Sequence, residues 1–416
     1  MTVSSLRYWK DVLLQASGNS AAQLIGVAGI PILTRLYSPE FFAVQGVFIQ
    51  LVMLFAALVT LRYEYFTPLL SDESEYRLMS SWLLRTGLSI ALVLCSILIL
   101  FEIYGFWEWV GVVSSSLYVV APFTAFLISV SYFYQFEAQR RNNFKKSAIA
   151  EVSSKVCYVF SGTVLSVLAS GAGLIMTTAF GALGKILVLR QLAVPYAKGD
   201  FLRAAPVISR FRARSSAMVF SNIVLSVSSA LPVFYIGSNY GENNLGQFTL
   251  VMATIFLPSG LIGAAVGNVF YQRAAVLWSE REFMVLTDLW ASTISKLLLG
   301  SLPIFVLIYM VSPWAYPFVF GDEWRAAGQM AQALCVASLF AFIAGPLDRL
   351  TIVINVSWYL PLVHLLRLAL IVILVTAFNQ SLQGFLFVYS VLMSVVYALD
   401  IMFARVLLWL RSSECN

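Results

Sequence analysis

FFAVQGVFIQLVMLFAALVTL, residues 41–61, is an uncharged apolar run with Glu40 before it and Arg62 after it. Its length matches the roughly 20 residues that a helix needs to cross a hydrocarbon core. Eleven further runs resemble it, near 12–34, 78–101, 111–135, 150–169, 171–190, 215–237, 245–270, 291–314, 329–354, 358–378 and 384–409. The chain is 60% hydrophobic and 11% charged, with a mean hydropathy of +0.86. A soluble fold of this length has too little interior for that apolar surface, so the solvent is lipid. The predicted fold class is an all-α integral membrane protein of about twelve transmembrane helices.

Charge gives the orientation. With residue 1 in the cytoplasm, only Arg35 and Arg325 of the 26 Lys and Arg land in loops on the far side. Arg140, Arg141, Lys145 and Lys146 fall inside, as do Lys198, Arg203, Arg210, Arg212 and Arg214. That is the positive-inside pattern, with both termini cytoplasmic. The net charge of +6 therefore reads as basic loops facing anionic headgroups, not as a nucleic-acid surface. The four cysteines are scattered and form no Cys-x-x-Cys, and His364 is the only histidine. Neither a disulfide framework nor a metal centre is implied, and no cofactor is expected. The first run is interrupted by Gln15, Asn19 and Gln23, which reads as an uncleaved helix and not as a signal peptide.

A basic stretch, 196–214, bisects the chain into six spans (1–195) and six spans (215–416), the expected N- and C-terminal lobes. An internal repeat is visible. Asn19, Pro31, Tyr37 and Gln45 follow one another as Asn222, Pro232, Tyr240 and Gln247 do, with an Asn-to-Tyr spacing of 18 in both. Six spans per half makes the repeats parallel. Gln15, Asn19 and Gln23 share one helix face, and Asn222 and Ser226 share another with Ser229. Such stripes form either interhelical hydrogen bonds or the wall of a water-filled cavity. Prolines at 31, 122, 232, 258, 303, 346 and 361 predict kinks.

Charges at membrane depth are the strongest functional pointers, because each is costly unless paired or hydrated. Lys185 and Lys296 are expected to snorkel from cytoplasmic helix ends. Arg62 and Glu64 end the second span as an interfacial pair. Asp348 and Arg349 follow Pro346 in the inner half of the tenth span, and Asp400 lies in the inner third of the twelfth. Arg367 sits near the middle of the eleventh, on the face of His364. Two readings of Arg367 stay open: an ion pair with Asp400 or Asp348, or a cationic surface for an anionic ligand, shared with Arg349 and Arg62. Glu64, Asp348, Asp400 and His364 are the titratable candidates for ion coupling, against pairings of Glu64 with Arg62, Asp348 with Arg349 and Asp400 with Arg405.

PILTRLYSPEFF (31–42), LRYE (61–64), AAVGNVFYQR (264–273), FGDEWRAAG (320–328) and PLDRL (346–350) resemble the polysaccharide-export flippases. These are the O-antigen, Wzx-type branch of the multidrug/oligosaccharidyl-lipid/polysaccharide exporter superfamily. Ala43-Val44-Gln45 and Tyr65-Phe66-Thr67-Pro68 depart from that pattern. The resemblance implies two lobes around a central cavity that opens alternately to each side of a bacterial inner membrane. It implies an oligosaccharide on a polyprenyl pyrophosphate as substrate, and a surface-polysaccharide pathway such as that of lipopolysaccharide. Membrane lipids, a polymerase and chain-length proteins are the expected partners. An ion-coupled drug or small-molecule antiporter of the same superfamily is the alternative. An enzyme is not expected, since the far-side loops are short and carry no catalytic constellation.

Alkaline phosphatase fused after Gly105, Asn239 or Asn379 should be active, and fused after Asn143 or Arg203 inactive. The opposite pattern of fusion activity would reverse the orientation.

Overall fold

The computed structural model describes residues 3–70, 73–106, 116–168, 171–192, 200–348, 350–354, 356, 358–378 and 381–415, with side chains from 17 onward except at 200, 202, 260, 261, 264, 265, 268, 352, 414 and 415. Among them every regular element is helical. In lipid a backbone amide has no water to turn to, so the helix, which satisfies its own ladder, is the default element. In chain order the long helices are α1 Val3–Leu36, α2 Pro39–Val59, α3 Glu73–Ile103, α4 Ala121–Arg140, α5 Phe144–Leu168, α6 Gly171–Leu189, α7 Ala205–Tyr240, α8 Glu242–Ile255, α9 Ala264–Ser279, α10 Phe283–Phe320, α11 Arg325–Ala344, α12 Tyr359–Ala377 and α13 Leu382–Cys415.

Among the described residues, ten segments are long and apolar enough to cross a membrane. The other two expected spans are helical as well. The run 12–34 lies within α1, whose polar stripe lowers its hydropathy. The run 245–270 is divided between α8 and α9, with a π-helical turn, Ser259–Gly263, between them. Each half thus opens on a long helix, a tight turn and a second helix: α1 and α2, then α7 and α8. The expected tenth span, 329–354, is shorter than predicted. α11 stops at Ala344 and Leu350–Val353 forms a separate turn of helix. Pro346 therefore ends a helix instead of kinking one, because its ring and missing N–H bar a continuous ladder. Pro122 and Pro361 sit in first turns, where that cost is absent. Pro31, Pro232 and Pro303 lie inside helices as expected, and α10 also contains Pro313 and Pro317.

The chain divides into two compact units, Met1–Ala230 with Gly237–Gly246, and Leu231–Ile236 with Gln247–Asn416. The division crosses α7 and does not fall in the predicted linker 196–214. Most of α7 packs with the first unit: Ser215 Oγ donates to the Leu61 carbonyl (2.6 Å) and Tyr63 Oη to the Ile208 carbonyl (3.2 Å). In that unit Tyr63, Phe66, Tyr76, Met79 and Phe133 form a buried core, with Tyr76 and Phe133 stacked at 5.1 Å. In the second unit Phe270, Trp290, Leu347, Tyr359 and Leu408 do the same. Large apolar side chains such as Leu299, Leu307 and Phe318 of α10 stay exposed, as a lipid-facing surface requires.

Small residues let the helices approach. A Cβ on Gly29 of α1 would lie 2.2 Å from the Val159 side chain of α5, so glycine leaves the room that this side chain fills. Gly246 of α8 is tighter, since a Cβ there would lie 1.8 Å from the Pro39 carbonyl oxygen. Gly246→Ala should lower stability by about 1–3 kcal/mol or more, because the obstacle is backbone. Gly300→Ala, which meets nothing within 4 Å, should cost nothing. Thermal unfolding of the two variants in detergent checks the contrast.

Candidate functional site

The polar residues of the first unit gather at two places. The first is the break after α2. Leu61 and Arg62 adopt left-handed backbone conformations, with φ of 50° and 61°, which side-chain-bearing residues rarely do. The bend turns the chain into a 3-10 helix, Tyr63–Leu69, and folds Glu64 into the interior with no exposure. Thr60 Oγ1 donates to Glu64 Oε2 at 2.6 Å. The predicted Arg62–Glu64 pair is present but loose, 3.6 Å from Nη1 to Oε1. Arg62 Nη2 instead donates to Asn222 Oδ1 at 2.7 Å, and its guanidinium lies 5.5 Å from the Tyr65 ring. Burial pushes the Glu64 carboxyl above the usual carboxylate range, and the Thr60 hydroxyl and Arg62 charge only partly offset this.

The second place joins α4, α5 and α6. Glu151 Oε1 accepts from Lys185 Nζ at 2.8 Å and from Gln135 Nε2 at 2.6 Å. The Lys185 ammonium also lies 4.5 Å from the Tyr132 ring, and Lys185 is only 4% exposed. The expected snorkelling of Lys185 is therefore incorrect: an acid inside the bundle satisfies the ammonium, so the stem has no need to reach the interface. Lys155, one turn along α5 from Glu151, is exposed and lies 5.8 Å from the Tyr158 ring. Tyr158 in turn accepts from Gln45 Nε2 at 2.9 Å. Sequence reading passed over Glu151 and Lys155, although two opposite charges four residues apart in the run 150–169 mark one helix face.

In the second unit Arg367 and His364 share a face of α12. Among the described residues Arg367 forms no ion pair, and Tyr389 and Tyr397 of α13 stand beside its charge. Its Nε is buried without a hydrogen-bond partner. Asp400 takes a hydrogen bond from Tyr359 Oη at 2.7 Å. The anticipated Asp400–Arg405 pair is absent among the described residues; Arg405 lies 5.8 Å from the Trp290 ring. Asp348 is exposed, in the turn after α11 and not within a helix. Arg349 lies outside the described residues, as does the side chain of Gln15. Asn19 is exposed, Gln23 half-buried and Ser226 buried. Asn222 is spent on Arg62 and on the Met218 carbonyl (2.8 Å). The paired glutamines differ: Gln45 reaches Tyr158 and the Leu174 carbonyl (3.3 Å), while Gln247 takes the Glu323 carbonyl (2.6 Å) and the Ala327 amide (2.9 Å). Among the described residues no group of three His, Cys, Asp or Glu is placed to hold a metal ion.

The basic cluster at the end of α4 is engaged with acids. Buried Glu137 accepts from Arg140 Nε (2.6 Å) and Arg141 Nε (2.5 Å), and both arginines also reach Glu73. Arg210 makes a two-pronged contact with Glu75 (2.8 and 3.0 Å).

A family described as polysaccharide biosynthesis protein matches residues 32–329. No curated protein sequence matches the chain. Among solved structures, the lipid II flippase MurJ in an inward closed conformation aligns with a TM-score of 0.67 at 16% identity, over 94% of this chain and 87% of that one. A MOP superfamily transporter from Pyrococcus furiosus gives 0.64 at 13% identity, over 97% and 96%. The inward-facing conformation of a multidrug resistance MATE family transporter gives 0.63 at 12% identity, over 96% and 95%. These likenesses establish the fold, that of the all-helical MOP-superfamily transporters.

Glu64→Gln keeps an acceptor for Thr60 and removes the buried charge. A carboxyl whose folded pKa is raised stabilises the fold only while protonated, and that contribution is lost as pH rises through the folded pKa. The variant should therefore gain thermal stability over the parent as pH rises, with the difference shrinking in acid. Melting midpoints across pH measure it, and a difference independent of pH would contradict the assignment.

Proposed function

The chain belongs to the polysaccharide biosynthesis protein family, and from that premise we propose that it is a flippase. It moves an oligosaccharide linked to a polyprenyl pyrophosphate across the bacterial inner membrane, for surface polysaccharide assembly such as O-antigen and lipopolysaccharide. The observation that carries this reading is Arg367. It lies one residue before the middle of a 19-residue apolar helix, about 12–15 Å along the axis from either end. Its neighbours are tyrosines and not carboxylates. A guanidinium kept at that depth without a fixed counter-charge suits a ligand that brings its own negative charge, and its planar fork matches phosphate oxygens. Arg62 and Arg349 are the further cations of this reading, and Asn19, Gln23, Gln15 and Ser226 its polar wall. Asn222 serves by holding Arg62. Tyrosines beside the charge offer stacking surfaces and hydroxyls for sugar. Asp400, Glu64, Asp348 and His364 are the coupling candidates, and no bond of the substrate is made or broken. The polymerase and chain-length proteins of the same pathway are the partners we expect downstream.

Deleting the gene should abolish one surface polysaccharide and accumulate lipid-linked repeat units on the cytoplasmic leaflet. Arg367→Ala should reproduce that phenotype at normal membrane abundance, with export down at least tenfold, as expected for losing a charge-assisted contact. Arg367→Lys should restore part of it. Normal surface glycan together with drug sensitivity in the deletion strain would instead identify a drug antiporter.

A further inference from the structure

Lys155 is the counterpart of Arg367 that neither the repeat motifs nor the charged-loop pattern disclosed. It lies one residue before the middle of α5, a 25-residue helix, and α5 is the fifth span of the first half. Arg367 holds the same place in α12, the fifth span of the second half. From Lys155 the ends of α5 are about 16 and 20 Å away along the axis, so its ammonium starts well inside the helix.

Its surroundings leave it a surplus charge. Glu151, one turn away, is committed to Lys185 and Gln135, so two ammonium groups share one carboxylate. Among the described residues Lys155 itself forms no ion pair. Within α5 itself the Tyr158 ring lies 5.8 Å from the Lys155 ammonium, and on α1 the backbone of Gly26 faces it. A Cβ on Gly26 would lie 3.5 Å from the Lys155 stem, so the stem runs over a surface without a side chain. Among the described residues, buried Glu137 is taken by Arg140 and Arg141, and Glu64 by Thr60 and, loosely, by Arg62, so neither serves Lys155. An exposed ammonium at mid-depth is expensive in lipid by a few kcal/mol or more, and water or an anion relieves that cost.

We propose that Lys155 is an anion-binding residue of the first unit, and that its ligand is the diphosphate of a lipid-linked substrate. The Tyr158 ring lies beside it, and the Glu151–Lys185 pair keeps the local charge at one net positive. This inference rests on the flippase reading. It adds to that reading a second cationic station, on the helix that corresponds to the one bearing Arg367.

The test is binding of a short-chain polyprenyl diphosphate, and of the matching polyprenyl alcohol, to the full protein in zwitterionic nanodiscs. Lys155→Gln should weaken diphosphate binding about tenfold or more and leave alcohol binding unchanged, while Lys155→Arg should stay within about threefold of the parent. Should Lys155→Gln fail to fold, Lys155→Cys modified with an aminoethyl reagent should recover diphosphate binding, and the same cysteine with a neutral methyl reagent should not. Equal diphosphate binding by the parent and Lys155→Gln would overturn the assignment of Lys155 while sparing the flippase reading. A parent protein that binds no diphosphate would overturn both. Competition by phosphatidylglycerol at equal charge would assign Lys155 to bilayer headgroups and overturn the substrate assignment.

Discussion

A charge in hydrocarbon must find a partner, reach an interface or meet water, and this chain is organised around those three outcomes. Glu137 is buried and clamped by Arg140 and Arg141. Lys185 is buried and held by Glu151. Exposed Arg325 lies beside Asp322, 3.3 Å away. Lys155 and Arg367 fit none of the first two outcomes among the described residues, and so they stand out from the other cations. The same rule applies to the backbone. Where α2 ends, hydroxyls and carbonyls of the 3-10 helix and of α7 take up the amides and carbonyls that the broken ladder frees.

Most of the fold was legible because its signal is long and one-dimensional. A run such as 41–61 specifies a helix of that length whatever its neighbours are. What the runs could not show is where a helix breaks inside apolar sequence. Around Pro258, where a kink was expected, α8 ends and a π turn intervenes, and Pro346 ends α11 where another was expected. Breaks of this kind are decided by neighbouring packing. A Cβ on Gly267 of α9, for example, would lie 3.1 Å from Pro346. The grouping of α7 with the first unit was equally hidden, since it rests on long-range bonds such as Ser215 to Leu61 and Arg62 to Asn222.

The candidate site was legible in its residue types and less so in its pairings. Arg367 falls near the middle of α12, where the run 358–378 put it, and among the described residues it forms no ion pair. The pairing rule of nearest charge in sequence failed elsewhere. Asp400 takes Tyr359 from another helix instead of Arg405 from its own, and Arg62 favours Asn222, 160 positions away, over Glu64. A hydroxyl or amide at the right distance outweighs a charge at the wrong one. Lys155 was overlooked because a lysine next to a glutamate in sequence reads as a neutral pair. Only the position of Lys185 reveals that the glutamate is already taken.

The Glu151–Lys185 bond also bears on how the chain enters the membrane. α5 emerges from the ribosome carrying Glu151 and Lys155 within it, and on its own it is a poor candidate for partition into lipid. Lys185 follows 34 residues later, four residues before the end of α6. The carboxylate is neutralised only once both segments lie side by side. α5 and α6 are therefore best inserted as a hairpin, with the first held at the translocation machinery until the second arrives. A pair read as static architecture in the finished protein thus sets the order of events in its biogenesis.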